Sequence, residues 1–299
     1  MASIKQLRGR IKSIQSTKQI MRAMQLVSAS KLQRAQGRLL QARSTLGFLD
    51  GLLQRVLAST AAVLNHQLCR TREGAPTALV LFTSYTGLCG AYNNNLIQLA
   101  ESYLRRDSLS GTRVIYIGKK GHRYFTKRGW AAADAYLDLA GRPDLAKAEA
   151  IGRTLMDGFL SGRYGAVKLL YSTFRSATVY TPTILNWLPI ELPARSAERG
   201  HRLPAGSRQR REARNEYIFE PSPWRIFEDL LPRWALATFQ RAMLEALTSE
   251  HSARMIAMKN ATDNAEELLG DLTRQRNRIR QASITKEISE IVGTAEALK

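Results

Sequence analysis

At 299 residues, 44% of them hydrophobic, the chain is long enough to bury a substantial core, which excludes a disordered tail. Its formal net charge of +20 is unevenly held: residues 1–57 carry eleven Lys/Arg against the single acid Asp50, residues 194–215 add seven Arg against two Glu, and residues 224–299 balance eleven against eleven. The longest apolar runs, such as Ala75 to Phe82, fall far short of the roughly 20 residues a spanning helix needs, so no membrane crossing is expected.

The first 57 residues keep one apolar heptad, Ile4, Leu7, Ile11, Ile14, Met21, Leu32, Ala35, Leu39, Ala42, Leu46, Leu49, Leu53 and Val56, broken only by Lys18, Gln25 and Ser28. A 3,4 spacing sustained this long, without proline, describes a supercoiling helix that needs a partner. Its basic surface attracts an acidic one, whether protein, phosphate backbone or lipid headgroup. It has no hydrophobic signal core, and a heptad reaching Val56 is too long for a transit peptide.

The middle of the chain alternates strand and helix signals. Thr77 to Thr83 reads as a strand ending in a Gly-containing turn, Asn93 to Arg106 as a helix, and Thr112 to Ile117 as a second strand closed by Gly118. Lys119 to Arg128 and Asp144 to Ser161 follow as helices, the latter capped by Asp144, and Ala166 to Ser172 is a third strand. Thr178 to Leu188 adds an edge strand. Such alternation implies a mostly parallel sheet carrying helices, a small Rossmann-like α/β domain over residues 76–193. Residues 194–216, rich in Arg with two Gly and one Pro, read as a basic mobile surface loop.

After a short strand at residues 217–220, Ser222 is placed to cap a helix with Pro223 at its first position. Pro232 is expected to kink it, and nothing else but Gly270 and Gly293 opposes helix to the end. A second heptad runs through Leu244, Leu247, Met258, Ala261, Ala265, Leu268, Leu272, Ile279 and Ala282, then slips to Ile284, Ile288, Ile291, Ala295 and Leu298. The fold expected is therefore α/β, with the N-terminal helix (residues 1–57) and the C-terminal helix (within 217–299) paired as a long antiparallel coiled coil. Ile288, Ile291, Val292 and Leu298 lie beyond the overlap with the shorter helix, so something outside the chain must surround them.

Three blocks carry a family resemblance. They are IKSIQSTKQIMRAMQLVSASKLQRA from Ile11 to Ala35, TSYTGLCGAYN from Thr83 to Asn93, and SEHSARMIAMKNATDNA from Ser249 to Ala265, continuing as NRIRQASITKEISEIVG from Asn277 to Gly293. Together they resemble the gamma subunit of the F-type ATP synthase, in its bacterial form, over nearly the whole chain. The resemblance implies a rotating central shaft without catalytic residues of its own, which couples ion flow through the membrane ring of c subunits to ATP synthesis or hydrolysis on a hexamer of alpha and beta subunits. It implies the epsilon subunit as a further partner, no cofactor or metal, and a peripheral position on the cytoplasmic face of the bacterial inner membrane.

Residue by residue, Met24, Arg254, Gln281 and Thr285 match family positions that meet the beta subunit. Tyr217, Phe219 and Glu220 match the foot on the c ring, and Gly87, Leu88, Cys89 and Gly90 match its G-L-C-G turn, with Gly87 and Gly90 available for positive φ. The chain departs from the family in having Tyr85-Thr86 before that turn and Ala91 after it, and in its arginine-rich loop.

Two other classes fit parts of the sequence. A nucleic-acid-binding coiled coil suits the charge, but Phe48 is the one aromatic on the basic helix, which leaves little for base stacking. A phosphate-binding α/β enzyme could use the turn after the first strand, but neither GLCGAYN nor GKKG at Gly118 to Gly121 has the spacing of a nucleotide-binding loop. No paired carboxylate, nucleophile set or metal cluster is evident in the sequence. Cys69, Cys89 and four scattered His have no ligand spacing.

Overall fold

The computed structural model describes residues 4–59, 66–72, 74–106, 111–130, 132–139, 144–191 and 219–297. The basic loop at 194–216, Tyr217 and Leu298 lie outside them. Ten elements follow one another: α1 (Ile4–Ser59), β1 (Thr77–Phe82), α2 (Tyr92–Arg106), β2 (Thr112–Ile117), α3 (Lys119–Thr126), β3 (Ala132–Tyr136), α4 (Leu145–Leu160), β4 (Ala166–Phe174), β5 (Tyr180–Leu188) and α5 (Pro223–Ala297), with a 3-10 turn at Gln67–Cys69 before β1. They fall into two compact units, one of Met1–Leu32, Leu88–Gly90 and His251–Lys299, the other of Gln33–Gly87 and Ala91–Glu250.

The second unit holds a five-stranded sheet in the order β3-β2-β1-β4-β5. β1 pairs parallel with both β2 and β4, β2 pairs parallel with β3, and β5 closes the other side antiparallel to β4. The central strand β1 is a nearly continuous apolar run, as a strand covered on both faces must be. Ala78, Val80 and Phe82 belong to one core with Leu53 and Val56 of α1, Ile151, Leu155 and Phe159 of α4, and Phe227, Leu231, Leu236 and Phe239 of α5. On the alternate positions Leu81 approaches α3 at Gly121, and the Tyr116 ring stacks on Phe125 of α3 with centroids 6.0 Å apart.

β3 has no counterpart in the sequence reading. Its AADAY sequence has no β-branched residue and its first three positions are exposed, so it lacks the apolar alternation that marks a strand. It forms because the edge of β2 presents unpaired backbone groups that it satisfies. The short strand expected at 217–220 is not formed at Phe219 and Glu220, which lie in irregular chain and a bend without a ladder partner. The boundaries of the other expected elements shift by two residues or fewer where described, and Asp144 caps α4 as expected, its side chain accepting from the Lys147 N–H at 3.1 Å.

α5 begins at Pro223, with the Ser222 hydroxyl accepting from the Arg225 N–H at 3.3 Å, and runs as one helix through Pro232. The missing proline N–H deprives the Glu228 carbonyl of its helical donor, but Glu228 is exposed and water can serve it.

In the first unit, the opening half of α1 and the far part of α5 form an antiparallel pair. Every predicted seam position of α1 from Ile4 to Leu32 is buried or half-buried, including the polar breaks. Ser28 is 2% exposed and its hydroxyl donates to the Met24 carbonyl at 2.7 Å, so it packs as a small residue with its polar atom satisfied inside its own helix. Lys18 reaches across to Glu266 at 3.1 Å. Because Glu266 is largely exposed, Lys18→Ala is expected to cost only about 0.5 kcal/mol or less, measured by urea unfolding.

On α5 the seam differs from the expected one. It runs Met258, Thr262, Ala265, Leu269, Leu272, Arg276, Ile279 and Ser283, each buried or half-buried, whereas Leu268 is 47% exposed and Ala282 is exposed. The sequence reading followed apolar residues, and the true stripe passes through Thr262, whose hydroxyl donates to the Met258 carbonyl at 2.8 Å and so can be buried without loss.

Candidate partner-binding surfaces

The turn after β1 is built on hydrogen bonds rather than ion pairs. The Ser84 N–H donates to Asn93 Oδ1 at 3.0 Å, the Asn93 amide donates to Ser84 Oγ at 2.7 Å, and that hydroxyl donates to the Thr86 carbonyl at 2.6 Å. The residues with positive φ are Leu88 (63°) and Gly90 (56°), and Gly87 is not among them, which corrects the expectation. Leu88 is held in the left-handed region although it has a side chain, and that side chain is 58% exposed. Cys89 is buried, and a Cβ on Gly90 would lie 3.6 Å from Ala257 of α5, so Gly90 sits in van der Waals range of that helix.

The beginning of α3, where GKKG raised the question of phosphate, is occupied by the chain itself. The Lys120 N–H donates to the Ser84 carbonyl at 3.2 Å and the Gly121 N–H donates to Thr83 Oγ1 at 2.9 Å. Lys119 lies over the Tyr85 ring, 4.0 Å from its centre, and bonds its hydroxyl. The amides and one of the lysines a phosphate would need are already engaged.

Beside this turn, in the second unit, a small cleft of about 50 Å³ is lined by Phe82, Tyr92, Ile117, Leu137, Met243 and Leu247, among others. Glu250 is the one carboxylate among its lining residues, and the Tyr92 hydroxyl is committed to the Ala246 carbonyl at 3.0 Å. Among the described residues, neither a paired carboxylate nor a nucleophile with its base lines it.

The far end of α5 is different in kind. Ile284, Ile288, Ile291 and Val292 are 47%, 56%, 68% and 56% exposed, and α1 adds exposed Ile20, Leu26 and Val27 in the same unit. Apolar side chains concentrated on one helix end mark a surface made to be covered.

The family model described as ATP synthase matches residues 3–298. The ATP synthase gamma chain of Symbiobacterium thermophilum is 41% identical over 296 residues, covering 99% of this chain and 98% of that protein. The chain belongs to the ATP synthase gamma family. The gamma chain of Desulforamulus reducens is 39% identical over 299 residues, the full length of both. Among solved structures, the fold resembles a chain of the Euglena gracilis mitochondrial ATP synthase (OSCP/F1/c-ring), with TM-score 0.64, 17% identity, and 99% of this chain and 94% of that one covered. It also resembles a chain of the Tetrahymena thermophila mitochondrial ATP synthase central stalk and c-ring, with TM-score 0.57, 22% identity, and 81% and 99% covered.

The structure distributes the predicted contact residues rather than gathering them into one site. Met24 is half-buried on α1. Arg254 is buried at 7% exposure with Nη1 3.5 Å from His251 Nδ1. Gln281 and Thr285 are exposed, the Thr285 hydroxyl donating to the Gln281 carbonyl at 3.0 Å. The 27 residues from Arg254 to Gln281 put them about 40 Å apart along the gamma chain's C-terminal helix. At the predicted foot, Phe219 packs against the core of the second unit and Glu220 is exposed.

Sequence reasoning missed the polar ties in the second unit. Arg43 bonds Glu245 at 2.9 Å and the Phe174 carbonyl at 2.6 Å, with Glu245 only 5% exposed. The only hint was a lone arginine beside the seam position Ala42, and no linear pattern pairs it with a residue 202 positions away.

Proposed function

We propose that this gamma chain is the central rotor shaft of an F-type ATP synthase, coupling ion translocation through a c ring to ATP synthesis or hydrolysis on an alpha/beta hexamer. The observation that carries the reading is the exposed apolar end of α5 on a chain that matches gamma relatives over its full length. A greasy helix end suits an apolar sleeve made by the hexamer. The basic face of α1, where Asp50 is the single acid of residues 1–57, suits acidic loops around it.

Met24, Arg254, Gln281 and Thr285 are the residues proposed to meet the beta subunit. The Gly87–Gly90 turn with exposed Leu88, and the foot at Tyr217, Phe219 and Glu220, are proposed to face the epsilon subunit and c ring. The chain is then peripheral, held to the cytoplasmic face of a bacterial inner membrane through the complex. No helix among the described residues is long and apolar enough to cross a membrane itself.

The test is assembly. Ile288→Asp with Ile291→Asp changes two exposed side chains, so the chain should fold unchanged by circular dichroism. If a hexamer sleeve covers them, affinity for alpha and beta subunits should fall roughly a hundredfold. Undiminished assembly in a titration would remove the sleeve contact from the proposal.

A further inference from the structure

Side-chain ties fasten α5 within the second unit between Trp234 and Ser249. Trp234 Nε1 bonds Asp50 of α1. Trp187 Nε1 on β5 donates to the Ala235 carbonyl at 2.9 Å. Arg43 of α1 bonds both Glu245 of α5 and the Phe174 carbonyl at the end of β4. The Tyr92 hydroxyl on α2 donates to the Ala246 carbonyl at 3.0 Å, and Ser249 Oγ donates to the Ser172 carbonyl of β4 at 3.1 Å. Thus one helix is bonded to α1, α2, β4 and β5 over the stretch from Trp234 to Ser249.

The arrangement does more than stability requires. Phe227, Leu231 and Phe239 are buried in the shared core, where dispersion contacts reward close approach but have no angular requirement of their own. Hydrogen bonds lose strength steeply with misalignment. Ties to four separate elements therefore fix both the rotation of α5 about its axis and its sliding along it. At the centre, Arg43 joins α1, α5 and the sheet at once, through a planar fork that lysine cannot reproduce. The Glu245 carboxylate it holds also acts on Tyr171: burial, with that carboxylate adding to it against the opposing charges of Arg241 and Arg43, pushes the Tyr171 hydroxyl up to about 12.

We infer that these ties, centred on Arg43, form a torsional lock that fixes the two shaft helices to the sheet so that torque passes between them without slip. The inference rests on the rotor reading above. Within this unit the ties hold the α1 segment at Arg43 and Asp50 and the α5 segment from Trp234 to Ser249 to the same sheet, so whatever angle is imposed on the sheet is imposed on both segments together.

The experiment uses the assembled complex with the full chain. Its hexamer is immobilised, and the angular fluctuation of a probe on the opposite end of the rotor is recorded in a stalled state. Combining Tyr92→Phe, Ser249→Ala and Arg43→Lys keeps ring volume, helix propensity and charge while removing three ties. The angular variance should rise roughly twofold, with ATP-driven ion pumping falling relative to ATP hydrolysis, as for a close-packed junction that loses its directional bonds. If the triple variant does not assemble, Tyr92→Phe and Ser249→Ala alone should each raise the variance by roughly a fifth, additively, because the two bonds go to separate elements. Unchanged variance alongside a lowered melting temperature would overturn the lock and leave the ties purely stabilising. Absence of rotation with the unaltered chain would overturn the rotor reading and the lock with it.

Discussion

Replacing Gly118 with alanine is expected to destabilise the sheet-containing unit by about 4 kcal/mol or more, among the largest single-residue losses available in this chain. The backbone there has φ 103°, and an added Cβ would meet the Thr83 carbonyl oxygen at 2.0 Å and its carbon at 2.8 Å. Neither atom is the end of a flexible side chain, so the backbone itself must move. The shift would reach the Gly118 N–H bond to the Tyr136 carbonyl and the Gly121 N–H bond to Thr83 Oγ1, which hold β3 and α3 to the sheet. Gly129→Ala separates the two causes: its φ is 83° but nothing lies within 4 Å, so it should cost only the left-handed strain of about 1–2 kcal/mol. Urea unfolding followed by tryptophan fluorescence would read both, and equal losses at the two positions would show that the Thr83 contact is relieved without cost.

Phe239→Ala is the second large effect, at about 3–5 kcal/mol. Phe239 is fully buried where α5 crosses the sheet, its ring centre 5.9 Å from that of Phe82 and 5.2 Å from that of Trp187. A Cβ on Gly152 of α4 would lie 3.3 Å from its ring edge, so the helix has been brought close enough for backbone to line the pocket. Strand, helix and tryptophan cannot all collapse into the space left behind, which places the cost in the upper part of the range for cavity formation. Phe239→Leu, which refills most of the volume, should recover more than half the loss in the same unfolding measurement. A loss below about 1.5 kcal/mol for the alanine variant would mean that the core can close over the cavity.

The parts of the fold legible in the sequence were those with a strong local period. The seam of α1 was readable residue by residue because its 3,4 spacing is apolar nearly throughout, and each seam position is buried or half-buried where described. β1, β2 and β4 were readable as apolar runs between turn residues. β3 was not, because an edge strand with three exposed positions owes its existence to the backbone of β2. The α5 seam was displaced by one residue at Leu268 and Leu269, since two adjacent leucines fit either register and only the partner helix selects one. In the turn, glycine content pointed to Gly87 for positive φ, whereas Leu88 and Gly90 take it. The candidate contact residues were reachable only through the family resemblance, because an exposed Gln281 or a buried Arg254 has no linear signature of its role.

By itself the sequence determined that two long helices would flank an α/β domain, because hydrophobic periodicity is a local property that any partner surface must respect. It also determined the family, since the three blocks that resemble it lie in a chain that the family model matches over residues 3–298. What only the tertiary structure decided is how α5 is fastened. Arg43 with Glu245, Tyr92 with Ala246, Trp187 with Ala235 and Ser249 with Ser172 join residues 48 to 202 positions apart. Side-chain hydrogen bonds carry no period along the chain, and they exist only once packing has brought donor and acceptor within about 3 Å at a workable angle.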